Sequence, residues 1–216
     1  MIIVRNRMRP RLALALALAL CGAALPLAAK DHKIPVPKDA SAYACHDEHA
    51  SVVIAAEPYN TKEQGKLFRV PYLENGFMPI YLVVTNNGDE AISLDQARID
   101  FISSERDRIP AAVPGDVERR MTHLTGPGRP IPMPAPLPPL RRKPKTPDKK
   151  IEQDFDDFEY RAATVPPHST RAGFFFYDVQ GLGPGPLKGA KLAVRDIRTA
   201  SGKELFTFEI PFDKYL

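Results

Sequence analysis

Five consecutive residues, Cys45-His46-Asp47-Glu48-His49, form the densest set of potential metal ligands in the chain. A thiolate and two imidazoles suit copper or zinc. His46 and His49 are three residues apart, so they share a face if this segment is helical. Zinc usually takes four ligands, and no second Cys or neighbouring His cluster supplies the others. The alternative interpretation is a polar surface loop ahead of the first strand, with Cys45 tucked against it.

A second motif is PLPPLR at residues 136–141, which matches the P-x-x-P-x-R peptide bound by SH3-type domains. A spacer is the preferred interpretation, because residues 1–29 have the pattern of an export signal and the usual reader of this motif is missing outside a bacterial cell. Basic residues follow it: Arg141, Arg142, Lys143, Lys145, Lys149 and Lys150. They could contact anionic lipid headgroups or acidic glycans. Alternatively, they are a solvated charge run that keeps the Pro-rich stretch soluble.

No sequence motif indicates catalysis. The chain has no G-x-S-x-G elbow, no P-loop and no H-E-x-x-H helix. The acidic residues between 152 and 159 lack the central Gly and distal Glu of an EF-hand, which favours a solvated helix face. We therefore predict no enzyme, no catalytic residues and no bound organic cofactor.

The first 29 residues have the pattern of a secretory signal. Four arginines (Arg5, Arg7, Arg9 and Arg11) and no acidic residue precede an alternating Leu/Ala run and a small-residue exit. Cleavage after Ala29 is expected. Leu18 to Gly22 also resembles a lipoprotein box around Cys21, although Leu20 stands where that pattern has a small residue. The prediction is thus a periplasmic or secreted protein, with a lipoprotein anchored at Cys21 as the alternative.

Loss of this segment changes the charge balance. The chain has 30 Lys and Arg and 26 Asp and Glu, and the four signal arginines leave 26 of each. A mature chain without surplus positive charge argues against nucleic acid as a partner. The 187 residues of the mature chain suit one domain with additional short segments. Cys45 has no partner cysteine in the mature chain, which excludes an internal disulfide.

Short apolar segments predict strands that must position these residues. Ser51 to Ala56 is β-branched and short, and Lys66 to Val70 is a second candidate. Pro79 to Thr85 is apolar on both faces, which is typical of a central covered strand. The Asn-Asn-Gly-Asp that follows predicts a tight hairpin turn. Further predicted strands are 91–94, 98–102, 172–177, 192–197 and 205–210, the last with Phe206, Phe208 and Ile210 facing inward.

Two helices and one insertion interrupt the strands. Pro114 to Met121 predicts a short helix with Pro near its start. Ile151, Phe155 and Phe158 recur at helical spacing among acidic residues, which predicts an amphipathic helix. Between them, residues 126–148 contain nine prolines and indicate an extended Pro-rich surface insertion.

Seven to eight short strands with turn signals between them predict an antiparallel β-sandwich. The order VVIAAEP, MPIYLVVTNNGDEAISLDQARIDF, a helix, TVPPHSTRAGFFFY and a hairpin around TASGKE resembles a loose group of uncharacterised bacterial exported immunoglobulin-like domains. The resemblance covers residues 51–125 and 151–211. It implies an immunoglobulin-like fold and export to the envelope, and it carries over no catalytic residues.

Together these patterns predict a mainly β chain, an immunoglobulin-like antiparallel β-sandwich with one or two short helices. Its parts are a signal peptide (1–29), a polar tether (30–50), the sandwich (51–211, with the Pro-rich insertion at 126–148) and a C-terminal tail (212–216). The expected role is an exported, non-catalytic binding or accessory module of the bacterial cell envelope, with a protein or glycan partner. It would touch the membrane only through lipidated Cys21. The alternative is a periplasmic copper- or zinc-binding protein that uses Cys45, His46 and His49.

Overall fold

The computed structural model describes residues 34–124 and 148–215, and most of the regular structure in these ranges is β. The described strands are β1 (His46–His49), β2 (Val52–Pro58), β3 (Phe77–Asn86), β4 (Ile92–Ser93), β5 (Arg98–Ile102), β6 (Arg108–Pro110), β7 (Thr164–Val165), β8 (Ser169–Asp178), β9 (Lys191–Arg195), β10 (Arg198–Thr199) and β11 (Phe208–Pro211). The described α-helices are α1 (Lys62–Gly65), α2 (Pro114–Leu124) and α3 (Lys149–Phe158). Three single 3₁₀ turns lie at Ala40–Ala42, Leu73–Asn75 and Asp213–Tyr215.

All strand pairs are antiparallel. The first sheet has the order β1-β2-β3-β8, and the second has the order β11-β9-β5-β6. A small third sheet has the order β10-β4-β7. The predicted mainly β, antiparallel sandwich is therefore confirmed.

The first sheet is covered on both faces because its strands are apolar in both alternating sets. All ten residues of β3 are buried. One face packs against the second sheet in an inner core that includes Ile54, Ile80, Leu82, Phe101, Leu192 and Phe208. The opposite face forms an outer core with α2, α3 and the 68–72 segment, including Val53, Tyr81, Val83, Phe155, Phe174 and Phe176. This two-sided burial explains the unbroken apolar runs that the sequence shows.

The outer core is tied together by an ion pair. Asp154 of α3 is 0% exposed, and its carboxylate accepts hydrogen bonds from the backbone N–H groups of Arg69 (2.9 and 3.1 Å) and Val70 (3.2 Å). The Arg69 guanidinium adds a bond of 2.9 Å to Asp154 and one of 2.6 Å to Asp157. The prediction of a solvated acidic face on this helix is wrong for Asp154, since this carboxylate caps an irregular segment.

That irregular segment replaces a predicted strand. Residues 66–70 form turns and bends, because Thr61 and Gln64 make a reciprocal capping box that starts the single turn of α1. After α1, the backbone N–H groups of Arg69 and Val70 donate to the carboxylate of Asp154. The predicted central strand, the two helices and the strand at 98–102 are confirmed.

Two other expectations need correction. The Asn-Gly turn does not make a hairpin, because β3 pairs with β2 and β8 and the chain crosses into the third sheet. Buried Asn86 holds this crossing through side-chain hydrogen bonds to the carbonyls of Glu90 and Val165. Phe206 was expected to face inward, but its side chain is 77% exposed because β11 begins two residues later.

Residues on both sides of the predicted sandwich, 51–211, also pack in the fold. The described part of the predicted polar tether, residues 34–50, contains β1 and two buried residues, Ala40 and Cys45. The predicted C-terminal tail begins with Phe212, which is 0% exposed in the inner core. The signal peptide, Cys21 and the PLPPLR motif lie outside the described residues. None of the helices in the described ranges is long and apolar enough to cross a membrane.

Candidate functional site

A carboxylate stands out on the outer face of the first sheet. Glu57 continues the side-chain set of Val53 and Ala55 on β2, a set that is otherwise buried and apolar. Its partner directly across the strand pair is Tyr81 of β3. Strand alternation therefore places an acidic and a phenolic side chain next to one another at the end of the outer core.

These two residues line a cleft of about 380 Å³. We call it the Glu57 cleft; its walls are Pro35, Val36, Lys38, Ala42, Tyr43, Ala44, Glu57, Tyr81 and Tyr215. The walls come from the start of the described chain, from the residues before β1, from β2 and β3, and from the C-terminal 3₁₀ turn. This volume lies within the range of about 300–1,000 Å³ that is typical of small-molecule sites.

The tyrosines are held by one another and by the backbone. The rings of Tyr43 and Tyr81 lie 6.3 Å apart in an edge-to-face arrangement, and Tyr59 lies 6.4 Å from Tyr81. The Tyr81 hydroxyl donates to the carbonyl of Pro35 at 2.8 Å. The Tyr43 hydroxyl accepts from the backbone N–H of Lys38 at 3.3 Å. The aromatic wall is thus fixed by the fold and does not need a ligand to form it.

The electrostatics of the cleft centre on Glu57. Burial raises the pKa of this carboxyl group, and the nearby charge of Lys38 lowers it by a smaller amount. Burial also raises the pKa of Tyr59 to about 12, and it raises the pKa of Tyr81 and Tyr215 above the ordinary phenol value. All three phenols are therefore neutral at physiological pH.

Glu57 lacks a partner within the described parts of the chain: no hydrogen bond or ion pair to its carboxylate is found there. The side chain is partly exposed, so water reaches the carboxylate, but its partial burial still disfavours the ionised form. A ligand that supplies a donor or a positive charge would stabilise that ionised form. Among the described residues that line the cleft, no nucleophile is paired with a base.

The structure separates the residues of the predicted metal site. His46 and His49 lie three positions apart on a strand, not on a helix, and therefore point to opposite faces of β1. Nδ1 of His46 lies 2.8 Å from the carbonyl oxygen of Tyr43. Nε2 of His49 lies 3.2 Å from Oδ2 of Asp47, and its ring packs edge-on against Phe208.

Cys45 is 4% exposed in the inner core, and burial raises the pKa of its thiol. A protonated, buried thiol is a poor metal ligand. Among the residues that the structure describes, no three His, Cys, Asp or Glu side chains converge as a metal site would require. Metal binding by Cys45, His46 and His49 stays a prediction, without support from this geometry.

Sequence reasoning missed Glu57, although a signal was present. The segment VVIAAEP carries one charge on a strand whose alternating positions are otherwise apolar. A charge at that register belongs on a buried face, which is where a functional carboxylate is expected to violate the pattern. Tyr43, Tyr81 and Tyr215 are distant in sequence, so only the fold reveals that they share this site.

The comparisons with known proteins contribute no assignment. No protein-family model matches the chain, and neither the curated proteins nor the solved structures include a significant match.

Proposed function

We propose that this protein is an exported, non-catalytic binding module of the bacterial cell envelope, and that the Glu57 cleft is its ligand site. The observation that carries the proposal is the Glu57 carboxylate, which is partly buried among tyrosines without a partner in the described residues. Partial desolvation of this charge costs folding free energy, and a ligand with a donor or a positive charge would offset that cost. A binding function explains why this position holds a carboxylate.

The architecture supports recognition over catalysis. The cleft walls are fixed by strand pairing, by ring packing and by the hydrogen bond from Tyr81 to Pro35. A site that is already formed loses little conformational entropy when a ligand binds. The signal-like pattern of residues 1–29 supports the envelope as the compartment.

A thermal-shift panel tests the proposal. Mature protein beginning at Lys30 is melted with separate soluble compounds of the envelope: a peptidoglycan digest, monosaccharides, amino acids and alkylamines. A ligand at tenfold its Kd stabilises the folded state by about 1.4 kcal/mol, a shift of a few degrees. We expect at least one compound to raise the melting temperature of the wild type and to lose this effect in Tyr43→Ala.

Glu48→Gln is the matched control, because Glu48 is exposed on β1 and does not line the cleft. It should respond to the compound as the wild type does. If no compound shifts the melting temperature, or if the shift survives in Tyr43→Ala, the Glu57 cleft is not the ligand site and the proposal fails.

A further inference from the structure

Resting on the proposed function, we infer that the ligand of the Glu57 cleft carries an alkylammonium group. The cleft combines a carboxylate with the partly exposed rings of Tyr43 and Tyr215, while the ring of Tyr81 beneath them is 1% exposed. Tyrosine rings around an acidic group are the residue combination that recognises ammonium ions, since the electron-rich ring face attracts a cation. The ammonium would also supply the charge partner that Glu57 lacks.

The hydrogen-bonding capacity of the cleft argues against a neutral sugar. A sugar ring needs several converging donors and acceptors, but the hydroxyl proton of Tyr81 is already donated to Pro35. The Tyr43 hydroxyl is engaged by the backbone of Lys38. An anionic ligand is disfavoured because Glu57 would repel it. A cation that requires no directional hydrogen bonds fits the remaining surface best.

Lys38 is the one basic residue among the cleft walls that the structure describes. Its side chain is exposed, and it does not form an ion pair with Glu57, although its charge is near enough to lower the pKa of that carboxyl group. A second cation in the cleft would be repelled by Lys38. Removal of this lysine should therefore strengthen the binding of an ammonium ligand, whereas it would not strengthen the binding of a neutral one.

Choline and its neutral isostere 3,3-dimethylbutan-1-ol distinguish charge from shape. Isothermal titration of the mature protein should show choline binding at least about tenfold more tightly than the isostere, a difference of 1.4 kcal/mol. Glu57→Gln should lose about tenfold in choline affinity, Lys38→Ala should gain affinity, and Glu48→Gln should match the wild type. Thermal melts of each variant establish that it is folded.

A parallel experiment identifies the source of the ammonium group. Sedimentation of the protein with phosphatidylcholine vesicles would indicate a lipid headgroup, and binding of free choline alone would indicate a soluble amine. Both outcomes support the inference. If the isostere binds as tightly as choline, or if Glu57→Gln retains full affinity, the inference is wrong.

The inference and the proposed function can fail separately. Binding of N-acetylglucosamine that is lost in Tyr43→Ala but unchanged in Glu57→Gln would overturn the ammonium ligand and keep the cleft as a binding site. Absence of choline binding also overturns the inference. The proposed function then depends on the thermal-shift panel alone.

Discussion

Asp154 and Arg69 are 85 residues apart in sequence, yet both carboxylate oxygens of Asp154 accept hydrogen bonds from the backbone N–H of Arg69, and Oδ1 also accepts one from its guanidinium. The carboxylate is fully buried, and the guanidinium is 23% exposed in its side chain. One residue on α3 therefore organises the irregular segment that covers the aromatic outer face of the first sheet. Residues 66–70 form turns and bends and are not paired as a strand, so the contact between Asp154 and Arg69 determines how α3 packs against them.

Asp154→Ala should lower the free energy of unfolding by about 3–5 kcal/mol, because it leaves the backbone N–H groups of Arg69 and Val70 without their acceptor and the Arg69 guanidinium with Asp157 alone. Asp156→Ala is the control. Asp156 lies on the same helix and pairs with Arg161 at an exposed position, which should contribute only about 0–1 kcal/mol. Urea unfolding measures both, and equal effects would show that the buried pair does not stabilise the fold.

The same helix shows what sequence can and cannot predict. The spacing of Ile151, Phe155 and Phe158 correctly predicts both the helix and its buried face. The same spacing places Asp154 on that face, three residues after Ile151 and four before Phe158, where only its acidic side chain argues for solvent. Its burial depends on Arg69, a residue from another part of the chain. Local patterns report which side of an element is apolar, but they do not report a polar partner that arrives through tertiary structure.

The candidate site follows the same rule. The ligand chemistry of Cys45, His46 and His49 is visible locally, but it assumes a helix where the chain forms a strand, and a strand separates the two imidazoles. The alternation of side chains along β2 does indicate that Glu57 lies on an otherwise apolar face. The convergence of Tyr43 and Tyr215 on Glu57 could not be foreseen, because it requires knowledge of where both ends of the domain pack.

Gly173 provides a sharp test of packing at the edge of the first sheet. A Cβ added there would lie 2.6 Å from the backbone nitrogen of Tyr160, too close for the chain to tolerate without a shift. Gly173→Ala should therefore cost about 1–3 kcal/mol or more through overpacking. Gly115→Ala, in α2, meets no described atom within 4 Å and should be neutral or stabilise by up to about 1 kcal/mol. Thermal melts that rank these variants in the reverse order would contradict the packing of Tyr160 on β8.

The described fold and the metal-binding alternative predict different effects of the two histidines on stability. His46→Ala should change stability by no more than about 0.5 kcal/mol, because its side chain is exposed. His49→Ala should cost about 0.5–1.5 kcal/mol through the lost ring contact with Phe208. Neither value should depend on added zinc, copper or chelator. Melting curves in which metal stabilises the wild type but not these variants would establish the metal site instead.

Glu57→Gln should stabilise the unliganded protein at neutral pH. The folded-state pKa of Glu57 is raised above its ordinary value of 4.5, so ionisation costs folding free energy at higher pH. This cost is absent below the unfolded pKa, where both states are protonated. At pH 7 the free energy of unfolding of the variant should exceed that of the wild type by roughly 0.5–2 kcal/mol, the usual range for stabilising substitutions. This difference should vanish as the pH falls below about 4.5. A gain that is independent of pH would show that charge is not its cause.

The most direct measurement is amide NMR of the mature protein titrated with the low-mass fraction of a peptidoglycan digest and, separately, with choline. The account predicts that the perturbed amides cluster around the Glu57 cleft, at Tyr43, Ala44, Glu57, Tyr81 and Tyr215, and that Glu57→Gln weakens the choline response. Perturbations that cluster elsewhere, or none with either probe, would contradict the assignment of this cleft as the ligand site.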